Sequence, residues 1–175
     1  MKHNELFEKL LNTYKESYDI YTGYRVGDQE YDAYAFLDVT SSRYVLMKKA
    51  ELWRADCYEH VFFKHASQIT GKEISAFSDL TKKEIEPKLV RKGEHTMPKD
   101  HMYSFITGIF ICDGPVTGET VDKLKRTGFY KNYSLSLRGY CQLRLALIDI
   151  DGRKVFGNKA ARDMVRDMRK MLRSS

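Results

Sequence analysis

Apolar residues first recur at helical spacing, with Phe7, Leu10, Leu11, Tyr14 and Tyr18 following Asn4, a side chain suited to capping a helix. The period then changes. After a polar turn around Gly27 and Asp28, residues 31–39 alternate, with Tyr31, Ala33, Ala35, Leu37 and Val39 on one face and Asp32, Tyr34, Phe36 and Asp38 on the other. That alternation predicts a strand with one wetter side. Thr40, Ser41 and Ser42 form a turn, and residues 44–56 and 58–64, rich in aromatic and branched side chains, predict two more strands of a meander. Thr81 and Glu84 have capping-box spacing, which starts a second helix there, with Pro87 kinking or dividing it.

Residues 91–100 hold Gly93 and Pro98 among charges and predict a loop, whereas residues 101–112 are a strongly apolar strand closed by Asp113-Gly114-Pro115. Thr117 caps a helix running through residue 126, with Gly128 placed for a left-handed cap. Residues 129–138 and 140–150 predict an antiparallel pair turning near Gly139, and Asp151-Gly152 is a two-residue hairpin signal leading into residues 153–156. Gly157 and Asn158 stop that strand and cap a last helix. The order α-β-β-β-α-β-α-β-β-β-α, with single helices joining hairpins, predicts one α+β domain over residues 1–175, built on a mainly antiparallel or mixed sheet.

Composition narrows the class. A chain of 175 residues that is 42% hydrophobic and 31% charged has the makings of one folded domain and is too apolar to be disordered. The longest run without a charge, residues 102–112, falls well short of the roughly 20 apolar residues of a membrane span. Lys2, Glu5, Glu8 and Lys9 interrupt any signal-like apolar core at the start, so a cytoplasmic protein without membrane contact is expected. Cys57, Cys112 and Cys141 are odd in number and form no C-x-x-C pair, which argues against a disulfide framework and a zinc ribbon and for buried, reduced thiols.

The net charge of +6 is concentrated: from residue 158 onward Lys159, Arg162, Arg166, Arg169, Lys170 and Arg173 face only Asp163 and Asp167. Arg162, Arg166, Arg169 and Arg173 fall at i, i+4, i+7 and i+11 and form one row on a helix, separate from an apolar stripe of Ala161, Val165, Met168 and Leu172. Together with Arg144, on the wetter side of its strand beside Tyr140 and Gln142, the residues Arg162, Arg166 and Arg169 are the candidate anion site. The partners this chemistry suits are nucleic acid, an acidic protein or a second copy of the chain. Asp163 and Asp167 offset part of the row and the helix dipole favours its distal end, so Arg162 and Arg166 most require a partner. Numerous tyrosines near basic residues can stack bases, although filling a core is their commoner use.

Catalytic signals are sparse. The opening order of helix, three strands, helix and strand matches the core order of restriction-endonuclease-like nucleases, for which Glu51, Asp56, Glu59 and Lys64 are the catalytic candidates. Glu59 and Lys64 are five residues apart and so point to opposite faces of a regular strand, and Glu86-Pro87-Lys88, which has the acid-x-Lys spacing, lies in a helix. His60 and His65 also have opposite parity, and Glu94, His95, Asp100 and His101 lack a third histidine or a cysteine, so no metal site is expected. No phosphate-binding glycine loop, dinucleotide turn or G-x-S-x-G elbow is present, and no cofactor is expected. A non-enzymatic binding or interaction module is the expectation, with a metal-dependent nuclease as the alternative.

The segment Leu135-Ser-Leu-Arg-Gly-Tyr140, followed by Arg144-Leu, Asp149-Ile-Asp-Gly-Arg-Lys-Val-Phe156 and Asn158-Lys-Ala160, resembles an uncharacterised family of small cytoplasmic bacterial proteins. Ala50-Glu-Leu-Trp53 and His60-Val-Phe-Phe63 fit the same pattern. The resemblance implies a single domain and supplies no activity and no catalytic residue.

Overall fold

A computed structural model describes residues 3–39 and 56–173. Helix α1 (His3–Lys15) precedes a meander of β1 (Asp19–Val26), β2 (Gln29–Asp38) and β3 (Asp56–Ala66). Helix α2 (Gly71–Leu80) runs directly into a π-helical stretch, Thr81–Val90, and returns the chain so that β4 (His101–Cys112) lies parallel to β3. Helix α3 (Gly118–Arg126) and the short β5 (Tyr130–Asn132) lead to β6 (Tyr140–Asp149), parallel to β4. Strand β7 (Lys154–Gly157), a 3₁₀ turn (Lys159–Ala161) and α4 (Arg162–Arg173) complete the chain. The seven strands form one sheet in the order β1-β2-β3-β4-β6-β5, with β7 also on β6.

The element order is the one expected, and the sheet is mixed because its three central strands, β3, β4 and β6, run parallel. These strands are buried on both faces, which is why Val61-Phe62-Phe63, residues 109–112 and residues 145–148 read as continuous apolar runs instead of alternating ones. On one face Ile74, Phe77, Ile85 and Leu124 pack on Phe62, Ile106, Phe110, Leu143 and Leu145. Gly108 admits the Phe77 ring there, since a Cβ would lie 2.5 Å from a ring carbon. On the other face α1 and α4 bring Leu6, Leu10, Leu11, Val165, Met168 and Leu172 onto Val61, Phe63, Ile109, Ile111, Ala146 and Ile148.

Several local expectations change. Strand β1 carries too few buried positions to alternate, yet it pairs with β2 from Val26↔Gln29 outward around the Gly27-Asp28 turn. The turn at residues 40–42, most of the strand expected over residues 44–56, Glu51 and the motif at residues 50–53 lie outside the described residues. The capping box sits at Thr70 and Glu73: Thr70 Oγ1 accepts from Lys72 N, while Thr70 N donates to Glu73 Oε2 at 2.7 Å. Thr81 is inside the continuous helix, and Glu84 pairs with Lys88 instead of capping. Gly128 takes no left-handed conformation, because α3 ends at Thr127 in extended backbone. The strand expected over residues 129–138 shortens to β5, and Ser134, Leu135 and Ser136 turn left-handed at φ of 51°, 55° and 69°. The last hairpin is wider than two residues, spanning residues 150–153 between the paired Asp149 and Lys154, with Asp149 Oδ1 accepting from Gly152 N at 2.7 Å.

One edge of β6 is shared. Strand β5 pairs with residues 140–142 and β7 with residues 146–149, leaving the backbone between them without a strand partner. Leu143 N donates to Phe129 O at 2.9 Å, and Asn158 serves the rest. Its Oδ1 accepts from Leu145 N and Ala161 N, and its Nδ2 donates to Leu143 O and Thr127 O, all at 3.1 Å. A buried amide with every valence used both closes the sheet edge and caps the last helical segment. Asn158→Ala, which strands Leu145 N and two carbonyls away from water, is expected to lower stability by about 3 kcal/mol in urea unfolding; a change under about 0.5 kcal/mol would contradict this role.

Candidate functional site

Glu59 and Arg144, on strands separated by β4, form a buried pair. Glu59, 9% exposed, accepts from Tyr18 Oη at 2.6 Å, Thr107 Oγ1 at 2.7 Å and Arg144 Nη1 at 3.2 Å. Thr107 is the register partner of Arg144, and this alignment lets both reach the same carboxylate. Burial, and then the charge of Glu59, push the Tyr18 hydroxyl above the usual phenol range, so it remains a donor. The Arg144 guanidinium also lies 4.0 Å from the centre of the Phe105 ring.

Lys64 and Asp56 do not join Glu59. Lys64 faces the opposite side of the sheet and donates to Glu30 O at 2.8 Å, and Asp56 stands at the start of β3, where its backbone N donates to Asp100 O. In the loop cluster His101 has both ring nitrogens engaged, Nδ1 with Arg138 O at 2.7 Å and Nε2 with Ser104 Oγ at 2.8 Å. Among the described residues no group of three His, Cys, Asp or Glu side chains is arranged to hold a metal. All three cysteines are free and buried.

Within the arginine row, Arg166 is bracketed by Asp163 at 3.2 Å and Asp167 at 3.7 Å. Arg169 donates through Nε and Nη2 to Val155 O at 3.1 and 2.8 Å, which ties α4 to β7. Arg162 is exposed and has no ion-pair partner among the described residues.

A cluster invisible in local sequence surrounds Glu86 in the π-helical stretch. Its carboxylate, 2% exposed, receives Arg91 Nε at 2.7 Å, Tyr133 Oη at 2.9 Å and Lys131 Nζ at 3.1 Å. Burial alone would raise its pKa; the hydrogen bonds from Arg91, Tyr133 and Lys131 outweigh burial and hold it below the ordinary carboxylate range.

Between the end of α3, β5 and the 3₁₀ turn lies a groove of about 600 Å³. Lys125, Arg126 and Lys159 line it with Tyr130 and Gln142, and among the described residues no acidic side chain does. These cations, like Arg162, are exposed and without an ion-pair partner among the described residues. Tyr130, 55% exposed, starts a row of rings: Tyr130 to Tyr140 at 5.3 Å, Tyr140 to Tyr103 at 6.2 Å, and Tyr103 to Phe105 at 4.8 Å. Register produces the row, because Tyr130 pairs with Gln142 and Tyr103 with Tyr140, placing these rings on one face with Arg144.

A family model described as a domain of unknown function, DUF8052, matches residues 2–170. The chain belongs to the DUF8052 family. No curated protein and no solved structure matches it. In this DUF8052 chain the groove and the Glu86 cluster are the features that spacing along the sequence did not point to, since their members come from distant segments.

Because the Glu86 pKa is depressed on folding, its stabilisation is present above the unfolded value of 4.5 and is lost as pH falls through the lower folded value. Glu86→Gln is therefore expected to cost about 2 kcal/mol at neutral pH, by leaving the partly buried Arg91 and the half-exposed Lys131 without their counterion. The difference from wild type should shrink as unfolding is repeated below the carboxylate range.

Proposed function

We propose that the chain is a non-enzymatic module that binds single-stranded nucleic acid along the groove and the aromatic row. The observation that carries this reading is a concave surface that, among the described residues, has three cations, no acid and an exposed tyrosine ring. Phosphates lie against Lys125, Arg126 and Lys159, with Arg162 at the start of α4 as a further contact, and unstacked bases lie on Tyr130 and Tyr140. A duplex keeps its base faces stacked inside the helix, so single strands suit rings presented in this way better. The contact surface thus moves to the N-terminal end of α4, away from Arg166 and Arg169, whose guanidinium groups are engaged within the protein. The nuclease alternative draws no support from Glu59, whose carboxylate is held by an arginine and two hydroxyls instead of being open to a metal.

Fluorescence anisotropy with a short labelled oligothymidylate at low salt tests the reading. Tyr130→Ala should weaken binding about tenfold, the usual worth of one stacked base. Replacing Lys125 and Arg126 together with glutamine should lower the slope of log affinity against log salt by about 1.4. Arg166→Gln should leave both quantities unchanged. No binding at low salt, or an equal loss from Arg166→Gln, would overturn the proposal.

A further inference from the structure

The sheet face opposite the Glu59–Arg144 pair carries a second concavity, independent of the groove. It is a cleft of about 370 Å³ between β2, β3 and residues 89–98, which lead from the π-helical stretch to β4. Phe36, Tyr58 and His60 form its strand side, and Leu89, Met97 and Pro98 face them. The Phe36 and Tyr58 rings are nearly parallel, 6° apart in plane and 6.3 Å between centres, and give the strand side of the cleft an aromatic lining. A cavity of about 150 Å³ holds one benzene, so this volume has room for about fifteen non-hydrogen atoms.

One ring nitrogen in the wall of this cleft is uncommitted. His60 is 4% exposed, and its Nδ1 lies 2.7 Å from the Tyr34 hydroxyl. That hydroxyl has no other acceptor among the described residues, so it donates to Nδ1 and leaves the ring hydrogen on Nε2. Nε2 in turn meets no partner among the described residues. Burial, and then the charge of Lys92, lower the His60 pKa to about 4, so the ring is a neutral single donor at neutral pH. Because His60 lines the cleft, Nε2 opens onto it, and an oxygen of a bound molecule can accept its hydrogen.

The rim adds a charge. Arg91 is committed to Glu86, and Arg138 Nη1 donates to Met97 O at 2.8 Å. Lys92 is exposed, stands 6.0 Å from the Tyr58 ring centre and has no ion-pair partner among the described residues. It occupies a left-handed backbone position, φ 54°, that a lysine adopts only against a steric cost. Among the described residues Glu94 is the one carboxylate at the rim, and Lys92, Arg91, Arg138 and His95 surround the same opening.

We propose that this cleft binds a small aromatic carboxylate, its rings on Phe36 and Tyr58, one oxygen accepting from His60 Nε2 and its charge facing Lys92. The neutral histidine supplies direction, the lysine selects charge and the aromatic lining selects a flat apolar body.

Calorimetric titration of the full chain with 2-naphthoate, and separately with 2-naphthalenemethanol as the neutral molecule of similar shape, tests this. Both should bind saturably at one site, the carboxylate about tenfold or more tighter. Lys92→Gln, a change at an exposed side chain that leaves the core untouched, should abolish that preference while leaving alcohol binding as it was. His60→Phe should weaken both, and Tyr130→Ala neither, which separates this site from the nucleic-acid groove. No saturable binding of naphthoate at millimolar concentration, or an unchanged carboxylate preference in Lys92→Gln, would overturn the proposal.

Discussion

The arrangement depends on how β6 satisfies its outer edge. A strand buried on both faces cannot leave backbone groups unpaired, and β6 has two short partners with a gap between them. Asn158 fills the gap with one amide that accepts twice and donates twice. Because the same side chain reaches Thr127 O beyond α3 and Ala161 N ahead of α4, it sets the end of one helix beside the start of another. Gly157 lets this junction close, since a Cβ there would lie 2.9 Å from Leu145 O and collide with Val165. The groove is the consequence: lysines and an arginine from a helix end and a 3₁₀ turn, brought together where the sheet edge is interrupted.

Burial of the parallel strands imposes a second constraint, the pairing of every charge placed in or against them. Glu59 and Glu86 lie against opposite faces of the sheet; Arg144 offsets the first, Arg91 and Lys131 offset the second, and each also accepts from a tyrosine hydroxyl. Each network also supports a neighbouring concavity. Arg144 holds the Glu59 carboxylate while covering Phe105, the inner end of the aromatic row. Glu86 anchors Arg91, which donates to the Glu94 carbonyl and so holds the segment that forms the rim of the cleft.

Elements with strong periodicity or distinct punctuation were legible in the sequence. Strand β4 coincides with the apolar run at residues 101–112, α3 starts after its Thr117 cap, and α4 buries the apolar stripe read from its spacing. Strand β1 was not, because most of its residues are exposed on both sides and no alternation marks it. Thr70 and Thr81 both precede a glutamate by three residues; only the unbroken backbone through Thr81 distinguishes a cap from a helix interior. Leu135 and Leu137 alternate like a strand but are 94% and 82% exposed on a left-handed turn, a conformation that composition does not announce. For the candidate sites, pairs close in sequence such as Arg166 with Asp163 could be read directly. Glu59 with Arg144, Glu86 with Tyr133, and the groove could not, because each is assembled by strand register across many intervening residues.

The interrupted edge of β6 is the proposed contact surface for an anionic strand. Backbone amide chemical shifts recorded while oligothymidylate is titrated into the isotopically labelled protein test it residue by residue. The perturbed amides should form one patch over residues 125–130, Tyr140, Gln142 and residues 159–162, with the distal turns of α4 unaffected. Perturbations centred on residues 166–173, or spread without a patch, would contradict it.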